Sequence, residues 1–184
     1  MNVDVSELGV TSAPMTIRPA RTTDFDAMWR IFQAIVAAGT SYVFAEDTSR
    51  DDALAYFVGP GIASWVAEHE GRVVAMYKLV PNRRDRGSHV SNASFMVDPD
   101  HAGRGVGKAI GLHCLREARR AGFLAMQFNF VVSTNTRAVA LWQRLGFEIV
   151  GTVPKAFQHQ ELGLVDVHVM HRFLDDIQLN DHMA

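Results

Sequence analysis

The stretch Val97-Asp98-Pro99-Asp100-His101-Ala102-Gly103-Arg104-Gly105-Val106-Gly107-Lys108-Ala109-Ile110-Gly111 decides how this chain is read. Before it lies an apolar run, His89 to Val97, that reads as a strand stopped by Asp98-Pro99. After it the pattern becomes amphipathic, a helix from about Gly107 to Ala121 that Gly122 stops. A glycine-rich turn between strand and helix gathers unpaired backbone N–H groups at the positive end of a helix dipole, which suits a phosphate. Glycine helps because a diphosphate must come close to the backbone and because such nests often need positive φ. A tight strand-to-helix turn with no ligand explains the same cluster equally well.

Two other phosphate motifs do not match. A Walker A loop needs glycine at 102 and Ser or Thr at 109, where Ala102 and Ala109 stand. A dinucleotide fingerprint needs a third glycine where Lys108 stands, and it normally opens a parallel sheet rather than following antiparallel strands.

Outward from this stretch the chain gives a regular pattern. A strand, Met15 to Pro19, precedes a helix that starts near Thr23 with Thr23 and Asp24 as caps. Phe25, Met28, Trp29, Phe32, Ile35 and Val36 recur there at helical spacing, and Gly39 stops it. A second helix, Ser49 to Phe57, ends at Gly59-Pro60-Gly61. Strands Ile62 to Glu68 and Arg72 to Val80 form a hairpin with Gly71 at its turn. Beyond the central helix come strand Ala125 to Val132, helix Asn135 to Leu145, strand Glu148 to Val153 and strand Val165 to Phe173. The order βααβββαβαββ predicts an α+β fold in layers, with helices flanking a mixed, mostly antiparallel sheet. Strand, crossover helix, strand in the second half implies one parallel pair, expected around Val97 and Met126.

The 184 residues, 48% hydrophobic and 21% charged, suit one domain over residues 15–174, with a polar N-terminal tail at 1–14 and a C-terminal tail at 175–184. Lys and Arg total 18 against 20 Asp and Glu, so no whole-chain field attracts nucleic acid or an anionic membrane, and any anion must be held locally. The single cysteine, Cys114, excludes an intramolecular disulfide framework and a multi-cysteine zinc site, and reads as a small buried hydrophobe. No metal site is expected, because His168 and His171 face opposite sides of one strand. No stretch approaches the roughly 20 apolar residues that span a bilayer, and the N-terminus lacks a signal-like pattern, so a cytoplasmic location is expected.

Three segments in order carry a resemblance: Val97 to Lys108, then Asn129 to Phe147, then Glu148 to Pro154. Together they resemble the GCN5-related N-acetyltransferase (GNAT) superfamily over nearly all of residues 15–174. The resemblance implies an acetyl-CoA-dependent N-acetyltransferase, with the cofactor wedged where two parallel strands splay. On that likeness Ala102, Gly103, Arg104, Gly105, Val106, Gly107 and Lys108 take the pyrophosphate. Phe95, Met96 and Val97 supply backbone to the pantetheine and thioester, and Asn135 lies beside the pantetheine arm while also suiting an N-cap. Two positions depart from the family pattern. Ala102 stands where Gln or Arg is usual. Trp142 stands where many members have a tyrosine that protonates the departing thiolate, a role an indole N–H cannot fill, and it is expected to pack on the cofactor instead.

For the acceptor, the resemblance points to the loop between the first two helices, the splayed strands and the last hairpin. Tyr42, Phe44, Asn92, Asn129 and Asp166 are the candidates for binding it, with Asn129, His159 and Glu46 for assisting proton transfer; His89, Ser94, Glu161 and His168 lie in the same segments. Asn129 puts an amide among apolar strand residues, where a ligand or the neighbouring strand can satisfy it. A narrower likeness, to the proline-analogue and small amino-acid N-acetyltransferases, implies a small amine bearing a carboxylate. The other reading is a CoA-binding sensor without turnover. The hydrophobic C-terminal strands can pair between two copies, which makes a homodimer an expectation.

Overall fold

The computed structural model describes residues 15–179, so the tail at 1–14 and the last five residues, 180–184, lie outside it. The strands are β1 Thr16–Pro19, β2 Ala63–His69, β3 Arg72–Pro81, β4 Val90–Val97, β5 Ala125–Val132, β6 Glu148–His159 and β7 Gly163–Phe173. The helices are α1 Phe25–Ala37, α2 Arg50–Val58, α3 Val106–Arg120 and α4 Thr136–Arg144. All the strands lie in one sheet of order β1-β2-β3-β4-β5-β7-β6, and only the β4–β5 pair is parallel. The predicted α+β order and layering are those observed.

Strand alternation sorts the side chains onto two faces. Val66, Met76 and Met96 meet α1 and α2 through Phe25, Met28, Phe32, Ala53 and Phe57. Tyr77, Leu79, Met126 and Met170 meet α3 and α4 through Ile110, Leu115, Trp142 and Leu145. Cys114 is fully buried in this second layer, as its sequence context suggests. Gly111 sets how close α3 and α4 come: a Cβ there would lie 2.7 Å from Leu145 Cδ1 and 3.3 Å from Trp142 Cζ3. Asp24, expected as a cap, instead receives both Arg18 guanidinium nitrogens, at 2.7 and 2.8 Å, and the Arg21 N–H.

Two expectations need correction. The parallel pair does not form around Val97; it pairs Val90 with Ala125 and Ser91 with Met126 and then stops. Buried Ser91 pins it there, its hydroxyl donating to the Ala125 carbonyl at 3.1 Å. Strand β6 does not end at Val153 either. It bulges at Pro154 to Ala156, where Lys155 takes φ 52°, and resumes with Phe157 opposite Val165. The Asp166 carboxylate holds the bulge by accepting the Lys155 N–H at 2.9 Å, so a proline that reads as a strand end is absorbed by an irregularity. This hairpin leaves Val150, Val153, Leu162 and Leu164 exposed.

Candidate active site

Asn82 N–H donates to the Val90 carbonyl and Asp98 N–H to the Val74 carbonyl, so the even-numbered residues of β4 turn their backbone polar groups toward β3. The odd-numbered ones face β5. Ser91 meets that strand, but Ala93, Phe95 and Val97 face the opening gap, where pairing has ceased, whereas Met96, expected to offer backbone to the pantetheine, turns its backbone groups to β3. Backbone groups left by a neighbouring strand are a ready edge for an extended ligand arm.

The gap is a cavity of about 460 Å3 that runs through the sheet. Asn92, Ser94, Tyr56, Tyr42 and Phe44 line it on the side of α1 and α2; Ala93, Phe95, Val97, Phe128 and Trp142 line it on the side of α3 and α4. Asn129 and Asn135 border it as well. A second cleft, of about 550 Å3, shares Tyr42, Val43 and Phe44 and continues past Glu46 to Phe157 and His159 on β6. The two cavities thus adjoin at the loop that carries Tyr42, Val43 and Phe44.

At the α3 end, Gly103 and Gly105 adopt φ of 79° and 80°, which glycine takes without strain. The first intrahelical bond is Ala109 N–H to the Gly105 carbonyl, and no backbone acceptor takes the N–H groups of residues 103 to 108 among the described residues. Arg104 and Lys108 are exposed beside them, as is Ala102. Free donors, a helix N-terminus and two cations fit a diphosphate.

Asn135 fills the N-cap role and leaves half of its amide unused. Its side-chain oxygen accepts the Ala138 N–H at 3.2 Å, capping α4, and its amide nitrogen makes no hydrogen bond among the described residues. Trp142 sits at the inner wall with Phe95 and Phe128, each at 4.8 Å between ring centroids. Across the gap the Tyr42 hydroxyl donates to the Phe95 carbonyl at 2.7 Å, and burial raises the phenol's pKa, keeping it protonated.

The other expected acceptor-side residues scatter. Asn129 Nδ2 donates to Asn82 Oδ1 at 2.6 Å and its Oδ1 accepts from Gln127 Nε2 at 2.9 Å, so side chains rather than the strand ladder satisfy it. His159 is buried, and its Nδ1 accepts the Glu161 and Leu162 N–H groups at 3.1 and 3.3 Å, so that lone pair is engaged in the β6–β7 turn. Asp166 holds the β6 bulge and lines neither cavity. His168 Nδ1 pairs with the Thr152 hydroxyl at 2.9 Å, and His89 is exposed. Among the described residues no group of three or more His, Cys, Asp or Glu could hold a metal ion, and no helix is long and apolar enough to cross a membrane.

Sequence reasoning missed Tyr56 and Lys78. The Tyr56 hydroxyl and Ser94 Oγ lie 2.7 Å apart at the cavity wall. Behind them Lys78 Nζ sits 3.0 Å from the Tyr56 ring centroid and donates to the Tyr56 carbonyl at 3.0 Å. Burial lowers the Lys78 pKa to about 8. Lysine in the middle of an otherwise apolar strand, Val73 to Val80, was the available signal.

Comparison with known proteins agrees with this geometry. A structure of a GCN5-related N-acetyltransferase from Kribbella flavida is 42% identical, covers 86% of this chain and 97% of its own, and superposes with a TM-score of 0.83. The structure of yncA from Salmonella typhimurium with its cofactor acetyl-CoA is 26% identical, with a TM-score of 0.78, covering 92% of this chain and 99% of its own. The L-amino acid N-acyltransferase MnaT of Escherichia coli is 28% identical over 77% of this chain and 84% of its own length. For the N-acetyltransferases aca1 of Schizosaccharomyces pombe and 8B of Homo sapiens, the match spans only about half of the relative, 53% and 48%. A model of the acetyltransferase (GNAT) family matches residues 25–147, and the chain belongs to that family.

Proposed function

We propose that this protein transfers an acetyl group from acetyl-CoA to a primary or secondary amine of a small molecule. The observation that carries the reading is the cavity between the splayed strands, which shares Tyr42, Val43 and Phe44 with an aromatic cleft, on a chain that also leaves the N–H groups of residues 103 to 108 without a backbone acceptor among the described residues. The expectation of an amino acid or analogue as acceptor draws support from the name of MnaT.

Acetyl-CoA, when bound, supplies an acyl carbon activated by a thiol leaving group. The backbone of Gly103 to Lys108 would hold its pyrophosphate, with Arg104 and Lys108 adding charge. Phe95 and Val97 would offer backbone groups to the pantetheine, Asn135 its free amide nitrogen, and Trp142 an apolar wall. On the acceptor side Tyr56, Ser94, Asn92 and Asn129 orient the amine, and the Tyr56–Ser94 hydroxyl pair can accept an ammonium hydrogen. Such positioning is the largest contribution these uncharged groups can make, since none is a strong base.

Calorimetry with acetyl-CoA and with desulfo-CoA, followed by thiol release over a panel of amines, tests the proposal. Binding plus release is the expected result. Tight binding without release on any amine favours the sensor instead. A ligand at ~100 times its dissociation constant stabilises by about 2.7 kcal/mol, so a melting curve that no CoA form shifts would remove the cofactor assignment itself. The expected homodimer draws on the exposed Val150, Val153, Leu162 and Leu164, and sedimentation equilibrium tests it.

A further inference from the structure

We infer that the acceptor is an amine carried on an apolar, ring-sized body with no carboxylate beside its nitrogen. This rests on the acetyltransferase reading and departs from the amino-acid acceptor that the name of MnaT supports. Among the described residues, no Lys, Arg, His, Asp or Glu lines the through-sheet cavity. Its acceptor side is built instead from aromatic rings: Phe44 packs edge-on against Tyr56 at 4.9 Å and lies at 6.1 Å from Tyr42.

The cations nearby in the chain are not available inside it. Lys78 is engaged behind Tyr56, on its ring and its carbonyl, and does not line the cavity. Arg83, Arg84 and Arg86, on the turn after β3, are exposed and outside the lining. Among the described residues the outer cleft also lacks Lys and Arg; its Glu46 is an anion when ionised and its His159 is committed through Nδ1 to its own turn.

An α-amino acid carries its carboxyl carbon two bonds from the nitrogen. When the nitrogen reaches the middle of the sheet, the carboxylate must follow it into a cavity that offers it hydroxyl and amide donors but no cation among the described residues, and a buried charge without a counter-ion is disfavoured. A plain amine, once it has lost the proton that attack requires, carries no charge into the cavity. Its ammonium form is drawn by Glu46 and by the aromatic faces of Tyr42, Phe44 and Tyr56 on entry. Within, the hydroxyls of Tyr56 and Ser94 and the amide of Asn92 accept its hydrogens while its body displaces water from the rings.

Matched pairs that differ only by the carboxylate test this on the purified protein with acetyl-CoA: phenethylamine against L-phenylalanine, and isoamylamine against L-leucine. Thiol release, with product mass as a check, should give kcat/KM at least about 100-fold higher for each amine than for its amino acid. Binding should agree without turnover: N-acetylphenethylamine with CoA should raise the melting temperature where N-acetylphenylalanine with CoA adds nothing beyond CoA. Equal or better turnover of the amino acids, or equal shifts by the two products, overturns the inference and leaves the acetyltransferase reading standing. Silence with every amine and amino acid overturns both.

Discussion

The Tyr42 hydroxyl bridges the mouth of the splayed strands by donating to the Phe95 carbonyl at 2.7 Å. Tyr42 comes from the loop between α1 and α2, and Phe95 from the strand edge that β5 has left, so one hydrogen bond closes a gap that the sheet cannot. It also occupies one of the backbone groups proposed to face the pantetheine.

Replacing Tyr42 by Phe leaves the Phe95 carbonyl in a mostly apolar cavity without its donor. The expected cost is about 1–2 kcal/mol, a fall of about 5 °C in Tm for a chain of this size. The carbonyl becomes free for ligand, so the rise in Tm on adding acetyl-CoA should be at least as large as in the wild type. Thermal melts with and without acetyl-CoA check both. An unchanged Tm for the free protein would mean that water takes the place of the hydroxyl.

Lys78 is an ammonium held at a cost. Its pKa falls from 10.5 to about 8 on burial, so between pH 8 and 10.5 the unfolded chain binds the extra proton. Stability therefore rises with pH through that window, and the penalty is fully present below pH 8. Lys78→Met should raise the urea midpoint at pH 7 by an amount equivalent to about 2 kcal/mol, with the difference shrinking toward pH 10.5. A less stable variant at pH 7 would show that the Tyr56 ring and carbonyl outweigh desolvation.

His113 behaves oppositely in chemistry but alike in sign. It is 4% exposed on the buried face of α3, its Nδ1 2.6 Å from the Tyr77 hydroxyl, and burial lowers its pKa from 6.5 to about 4. Between those values the unfolded chain carries the proton that the folded one refuses. Stability is intact above pH 6.5 and declines by up to about 3 kcal/mol as pH falls to 4. Denaturant titrations at several pH values should show this slope, and His113→Asn should flatten it. An unchanged slope in the variant would assign acid sensitivity to the carboxylates instead.

What the sequence revealed and what it hid follows from range. The strand and helix periodicities are local, so element order was legible, and the glycine-rich turn with the Asn135 segment was enough to point to the family. The acceptor end depends on what long-range packing lays over a strand. Lys78 acquires meaning only because α2 brings Tyr56 across it, and Asn129 finds Asn82 and Gln127 rather than a ladder partner. The continuation of β6 past Val153 was hidden because the bulge at Pro154 to Ala156 is held by a distant group, the Asp166 carboxylate that accepts the Lys155 N–H.

Asn135 allows its two roles to be separated by chemistry. Its oxygen caps α4, while its nitrogen is the group proposed to hold the pantetheine. Serine retains an N-cap oxygen but has no amide nitrogen, and alanine has neither. Asn135→Ser should therefore keep the wild-type Tm within a degree or so yet weaken acetyl-CoA binding about tenfold by calorimetry. Asn135→Ala should lose the same affinity and about 1 kcal/mol of stability besides. Wild-type affinity in the serine variant would reduce Asn135 to a helix cap and leave the pantetheine to the β4 backbone.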